Sequence, residues 1–509
     1  MPITNYQIPG VYVQQTGTSL TNINTTGINV AIVADQATPI AKSDTFNAVI
    51  AASGSVLGQL SSPMVITTST GTYTALSGYT VTWVSGGTTV TGTYGTNFTI
   101  STPSGQPYSF LTTSGTTNGI GLPSGTVSVN YASNWGAYGT YYSFNAVTTA
   151  LGSAVSGTTI VNPAALGAYF AFLNGANTVQ IMPVARVSNG TSASVSDWAR
   201  VFNVPPTTSV SDQTLLTNFT GVDVIVPLYG FIVSGTNTPG VSSVSSGINS
   251  YLTNQYNNGI YQRVFAGVDG TAGQVSSTSM IALASGFNST RVSLFFPGSV
   301  NYSPGLNAQG YTNSNFNIPG YYLAAAAAGV FVAQDNVATS ITNKTVAGFN
   351  SIPNQISLGD AATNYLPNGI STIFQKRDNN LWILQGLTTN ITNWLTQEIS
   401  INAVGDQLAN NIYNDLINTS LIGGPMTTST INAAKGTVQS SLINAVTTGL
   451  IQNYQNILLT VSPSTPTTIN IAFQYAPTYP IDYIQVSLSL NTQTGNVITN
   501  NQASNLTVY

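Results

Sequence analysis

Histidine and cysteine, which carry much of protein catalysis and metal binding, do not occur in this chain. Their absence removes Ser-His-Asp and Cys-His catalysis, zinc sites built on imidazole or thiolate, iron–sulfur clusters and disulfides. No Gly-Lys dipeptide occurs either, so there is no Walker A loop to cradle a phosphate. Gly119-Ile120-Gly121 lacks the third glycine of a dinucleotide fingerprint, and 48 glycines make such a pair expected by chance. The remaining acid–base candidates are 13 acidic residues. A glycoside-cleaving pair needs two carboxylates held at a fixed separation, and here the acids are scattered. The sequence therefore predicts no enzyme, no cofactor and no metal.

The few charges are worth locating. Lys376-Arg377-Asp378 is the one cluster, and Asn379-Asn380 after it reads as a turn between Ile373-Phe374 and Trp382-Ile383. It is either a polar interface contact or a solvated hairpin tip. Asp406, Asp415 and Lys435 fall on C-terminal helical segments and read as interface charges or ordinary surface. Nine Lys and Arg cannot coat a nucleic-acid footprint, because that affinity scales with the phosphates neutralised. With a net charge of −4, docking on an anionic membrane is not expected, and neither is membrane insertion.

Charged residues make up 4% of the chain, against about 25% in an ordinary globular protein. None stands between Asp44 and Arg186. The polar surface must then be Thr, Ser, Asn, Gln and Gly. Such a surface protects poorly against self-association, which favours a chain that lives in a homo-assembly. Apolar residues are 42% of 509 positions, ample for packed cores and three or four domains. The N-terminus, Met1-Pro2-Ile3-Thr4-Asn5, has neither the basic nor the apolar region of a secretory signal.

The positioning elements read as follows. Residues 1–20 form an arm, with the turn signal Ile8-Pro9-Gly10 and the short extended run Val11-Tyr12-Val13. An isolated strand of this kind needs a sheet edge to satisfy its backbone. Ile28–Val33 suits a buried strand and Phe46–Leu57 a short helix. Over 60–130, Tyr79, Val81 and Trp83 alternate with threonines. Gly86-Gly87 offers a hairpin turn, and Phe98-Thr99-Ile100, Tyr108-Ser109-Phe110 and Val127-Ser128-Val129 continue a small β-barrel or sandwich.

From 131 to 355 helices and apolar strands alternate. The helices are Pro163–Leu173, Gly247–Asn257, Ser277–Ser285 and the Ala-rich Gly320–Gln334, read as buried. The strands are Thr178–Pro183, Val222–Pro227, Arg263–Gly267 and Val292–Pro297. Together they predict a largely parallel α/β sheet. Over 356–480, Val404, Leu408, Ile412 and Leu416 recur every fourth residue, as do Val438, Leu442, Val446 and Leu450. This is the spacing of two amphipathic helices. Thr468–Tyr475 and the alternating Ile484-Gln485-Val486-Ser487-Leu488-Ser489-Leu490 close the chain as strands. The fold class is thus multidomain α/β. A central mixed α/β sheet domain (21–59 and 131–355) carries an inserted β domain (60–130). An α+β C-terminal domain (356–480) and terminal arms (1–20 and 481–509) complete it.

In this order, several motifs resemble the tail sheath proteins of contractile phage tails and related contractile injection systems. They are Ile8-Pro9-Gly10-Val11-Tyr12-Val13, Gly27–Val33, Phe172-Leu173-Asn174-Gly175-Ala176, Phe295-Phe296-Pro297-Gly298 and Pro319-Gly320-Tyr321-Tyr322-Leu323-Ala324-Ala325. Ser340-Ile341-Thr342-Asn343-Lys344, Asn368-Gly369-Ile370, Gly386-Leu387-Thr388-Thr389 and Ile399-Ser400-Ile401 followed by Asp406 continue the series. Where many members have a basic residue before the acid, this chain has Gly405.

The resemblance implies a structural subunit that polymerises as stacked hexameric rings around a tail tube. The sheath would contract to drive the tube through a host envelope, with no ATP. It implies an outer β domain, an inner C-terminal domain, and arms whose residues Val11, Tyr12, Val13, Ile484, Val486, Leu488 and Leu490 link subunits. Asp406, Asp415 and Lys435 become possible tube-facing or interface charges. The implied partners are further copies of the chain, a tail tube protein, and baseplate and tail terminator proteins, with no nucleic acid. The implied place is the virion tail, assembled in the host cytoplasm. A static shell, surface-layer or adhesive protein is the alternative reading.

Overall fold

A computed structural model describes residues 29–35, 40–48, 56–60, 80–85, 87–93, 96–101, 110–113, 125–133, 139–184, 193–202, 221–233, 236–237, 241–304, 316–419, 421–462, 467–481, 489–490 and 497–498. Its centre is a nine-stranded mixed sheet. From one edge the order is Thr345–Val346, Leu381–Ile383, Ile370–Gln375, Val292–Phe296, Arg263–Ala266, Val224–Pro227, Val30–Ala34, Val179–Pro183 and Gly139–Tyr141. The six strands from Ile370–Gln375 to Val179–Pro183 run parallel, and antiparallel strands close both edges. The expected apolar strands of the 131–355 region all fall in this sheet, and Val30–Ala34 lies between two of them, Val224–Pro227 and Val179–Pro183.

Parallel strands are covered on both faces, so they read as continuous apolar runs. Alternate residues nevertheless serve different cores. Val30, Ile32, Val224, Val226, Phe265 and Phe295 face one layer. Ala31, Val33, Ile225, Val264, Ala266 and Leu294 face the other. The second layer holds the helices Val195–Phe202, Val241–Asn257 and Ser277–Phe287. The first holds Pro163–Leu173 and the Ala-rich helix Tyr321–Val332, whose residues Tyr322–Phe331 are all buried.

Small residues let these last two helices approach closely. A Cβ on Gly329 would collide with the Ala171 carbonyl oxygen of the facing helix, and one on Gly320, at the Ala-rich helix's N-terminus, would collide with the Pro297 carbonyl oxygen. The alanine run is therefore a close-approach surface of the core.

The expected hairpin around Lys376-Arg377-Asp378 is present, with Ile373 opposite Ile383 and Phe374 opposite Trp382. Lys376 Nζ donates to Asn343 Oδ1 at 2.7 Å and lies 3.9 Å from the Trp382 ring centroid.

The β segment comprises two small antiparallel sheets. One runs Ile40–Ala48, Gly125–Ser133, Thr80–Ser85, Thr88–Thr91, and the other Val56–Gln59, Phe110–Thr113, Phe98–Ser101. They share a core that includes Leu60, Val81, Trp83, Phe98, Leu111 and Val129. Ser85 pairs with Thr88, where the expected hairpin turn falls, and Gly87 has φ +83°. At both described ends of the helix expected over Phe46–Leu57 the chain is strand instead. Phe46 lies in a strand opposite Val127, and Val56–Gln59 pairs with Phe110–Thr112. Cross-strand packing of Phe46 and Leu57 on the Trp83 core overrides the local helical spacing.

The C-terminal helices span Ile399–Asn418 and Thr428–Thr447 and lie antiparallel across a short connection. An antiparallel ribbon follows, Ile451–Val461 against Ile469–Pro477. Its first strand carries no apolar alternation clean enough to mark it in the sequence. The arm residues Val11, Tyr12, Val13, Ile484, Val486 and Leu488 lie outside the described residues. Leu490 is described, in a two-residue strand paired with Val497.

Candidate assembly surface and the charged joint

The ribbon is a two-stranded sheet to which no third strand is bonded among the described residues. Among the described residues, then, no strand pairs with the outer backbone row of either strand, and such a row is a template for strand addition. One face is anchored. Tyr454, Ile457, Ile471 and Phe473 are half-buried against the core that the two helices share with the sheet. The opposite face leaves Leu458 exposed, beside Ala472, while Val461 and Tyr475 are exposed parts of the anchored face. Most of the exposed large apolar side chains among the described residues lie between Ile391 and Ile481. Trp394 stacks near Tyr479, with centroids 5.1 Å apart, and Ile417, Ile422 and Met426 crowd the turn between the helices. Apolar exposure this concentrated marks an interaction surface.

Asp415 and Lys435 lie on this unit. Asp415 is exposed and accepts the Ser441 hydroxyl at 2.5 Å, bridging the two helices. Lys435 is half-buried on the second helix. Asp406 is placed differently from the surface position its helical segment suggested. It is 5% exposed and takes two hydrogen bonds from Arg291, Nη2 to Oδ1 at 2.8 Å and Nη1 to Oδ2 at 2.9 Å. Arg263 Nη2 reaches the same Oδ2 at 2.7 Å, and its Nη1 donates to the Ile399 carbonyl at 3.4 Å. Burial overrides the surface reading, because an acid on the inner face of a core helix must find cations.

The two guanidiniums are also stacked. Arg263 lies 5.0 Å from the Phe331 ring of the Ala-rich helix, and Arg291 lies 4.7 Å from Tyr256 and 5.4 Å from Tyr261. The two respond oppositely to this setting. Burial lowers the pKa of Arg263, against the pull of Asp406 and with the repulsion of Arg291. Burial also works to lower that of Arg291, but attraction to Asp406 and the paired hydrogen bonds raise it overall. Both cations stay charged at any ordinary pH.

Asp223 completes the cluster from the next strand, accepting the Asn29 amide at 3.1 Å. Burial raises its carboxyl to about 7, with the Asn29 hydrogen bond and the charge of Arg263 opposing and Asp406 reinforcing. A second polar joint lies nearby, where the Ser340 hydroxyl donates to buried Glu398 at 2.7 Å.

Neither Arg263 nor Arg291 was singled out from the sequence; the available signal is an arginine at, or just before, the start of an apolar strand, which demands a buried partner. Among the described residues no group of acidic side chains is arranged to hold a metal, and no helix is long and apolar enough to cross a membrane.

No protein-family model matches the chain. It is 28% identical over 333 residues to the tail sheath protein of Mycobacterium phage Bxz1, an alignment covering 65% of this chain and 52% of that protein. The chain thus spans about half the length of this curated relative. In fold it is similar to the helical sheath of the anti-feeding prophage in its contracted state. The TM-score is 0.51 at 12% identity, over 96% of this chain and 100% of that one. By sequence and by fold, then, the chain is similar to the sheath proteins of contractile tails and injection systems.

Proposed function

We propose that this protein is the structural subunit of a contractile tail sheath. It polymerises as stacked hexameric rings around a tail tube, and contraction of the lattice drives the tube through a host envelope. The observation that carries this reading is the anchored ribbon, whose edges bear no strand among the described residues, set in the unit that exposes most of their large apolar side chains. Strands from neighbouring subunits, around Val11–Val13 at one terminus and Ile484–Leu490 at the other, add to those edges. Main-chain ladder bonds do not depend on side-chain charge, which suits a chain with so little of it. A strand on an arm also lets two subunits rotate without separating. The likeness to sheath proteins supports the same reading.

Asp415 and Lys435 serve as contacts to the tube or to neighbouring copies. Baseplate and terminator proteins close the two ends of the tail. The particle assembles in the host cytoplasm, and the subunit carries out no catalysis. Electron microscopy of the purified full chain tests the reading. Striated tubes are expected, and flat lattices or monomers alone contradict it.

A further inference from the structure

The described residues contain one buried knot of charge, and it lies where the C-terminal helices meet the sheet. Arg263 belongs to a sheet strand, Arg291 immediately precedes the next, and Asp406 belongs to the Ile399–Asn418 helix. Phe331, stacked on Arg263, belongs to the Ala-rich helix. Three layers of the molecule therefore converge on one carboxylate.

Adhesion does not require this knot. Val404, Leu408, Ile412, Val438 and Leu442 of the two helices already share one apolar core with the sheet and the Ala-rich helix. Apolar burial attracts without fixing direction. A forked guanidinium on a carboxylate fixes distance, plane and angle together. Taking these ions from water costs about as much as their attraction returns, so such a knot adds little net stability over an apolar equivalent. What it adds is orientation.

We infer that the Arg263–Asp406–Arg291 knot is an orientation clasp. It holds the helical pair, and the ribbon built on it, at one angle to the sheet, so that the open edges meet their partner strands. The assembly role rests on the proposed function above. The orienting role does not, and it is measurable in the isolated chain.

The absence of cysteine makes the measurement clean. Ser250→Cys on the Val241–Asn257 helix and Ser429→Cys on the second C-terminal helix place two exposed spin labels across the joint. Their distance distribution is compared between the otherwise native chain and a variant with Asp406→Leu, Arg263→Met and Arg291→Met, alongside thermal unfolding and sedimentation.

The clasp predicts a single narrow distance in the native joint. It predicts at least a twofold broader distribution in the triple variant, with a melting temperature within a few degrees and assembly reduced at least tenfold. The milder Arg291→Lys, which keeps the charge but loses the fork, should broaden the distribution by a smaller amount. An unchanged width in a folded triple variant overturns the clasp. Failure of the triple variant to fold also overturns it, by making the knot a source of stability. Failure of the native chain to polymerise counts against the sheath reading and leaves the distance test to decide the clasp.

Discussion

The Ala-rich helix and the C-terminal ribbon solve opposite problems. Tyr321–Val332 is enclosed on all sides, and its small residues let neighbouring backbones approach to contact distance. Among the described residues the ribbon has no strand on either edge, and its outer face leaves Leu458 exposed. One region is finished within the described fold, and the other, on the proposed function, is completed by strands from neighbouring subunits. Between them, in a nearly uncharged molecule, lies the one buried knot of charge among the described residues, Arg263–Asp406–Arg291. The contrast separates residues whose loss unfolds the subunit from residues whose loss leaves a folded subunit unable to assemble.

The largest effect is expected at the joint. Asp406→Ala strands two buried guanidiniums and should cost about 4 kcal/mol in denaturant unfolding. A loss below about 1 kcal/mol would mean that water reaches the cluster freely. On the finished side, Gly329→Val drives a side chain into the Ala171 backbone. It should cost about 3 kcal/mol, since neither helix backbone can move aside. A neutral result would show the two helices to be less tightly apposed than their contact implies.

Asp223 supplies a pH test. Its carboxyl is about 7 in the fold against 3.8 unfolded, so folding takes up a proton between those values. Stability is therefore greatest near pH 4, falls as pH rises toward 7, and is flat above that. Arg263 and Asp406 are the charges that face it, with the Asn29 amide. Asp223→Asn should flatten the profile and stabilise the protein at pH 8 by about 2 kcal/mol, allowing for the residue's partial exposure. A profile that keeps its slope in this variant assigns the proton elsewhere.

On the unfinished side the stability effects shrink while the assembly effects grow. Leu458→Lys on the outer face of the ribbon should change unfolding by less than about 0.5 kcal/mol yet abolish polymer growth in sedimentation. Loss of stability without loss of assembly would reverse the comparison. The smallest response is expected from salt. With interfaces built of backbone and neutral side chains, polymer should persist from 0.1 to 1 M NaCl, although the screening length falls from about 10 Å to about 3 Å. Disassembly over that range would point to ion pairs between subunits.

The sequence made the sheet legible because parallel strands are written as apolar runs. Val224–Pro227, Val292–Phe296 and the helix Pro163–Leu173 fall where their patterns place them. Phe46 misled because a few apolar residues at helical spacing also fit a strand, and only its partner Val127, far along the chain, decides. Ile451–Val461 escaped because it is exposed on much of both faces, so no burial pattern was written into it. The knot was half legible. An arginine opening an apolar strand announces a buried partner, but the partner lies 143 residues away and sequence spacing does not reveal it.

A cryo-electron microscopy map of the assembled full-length polymer tests the central claim most directly. The account predicts tubes in which the free edges of Ile451–Val461 and Ile469–Pro477 each carry a strand contributed by another subunit. Tubes in which both edges stay bare, or pair only with strands of their own chain, would contradict it.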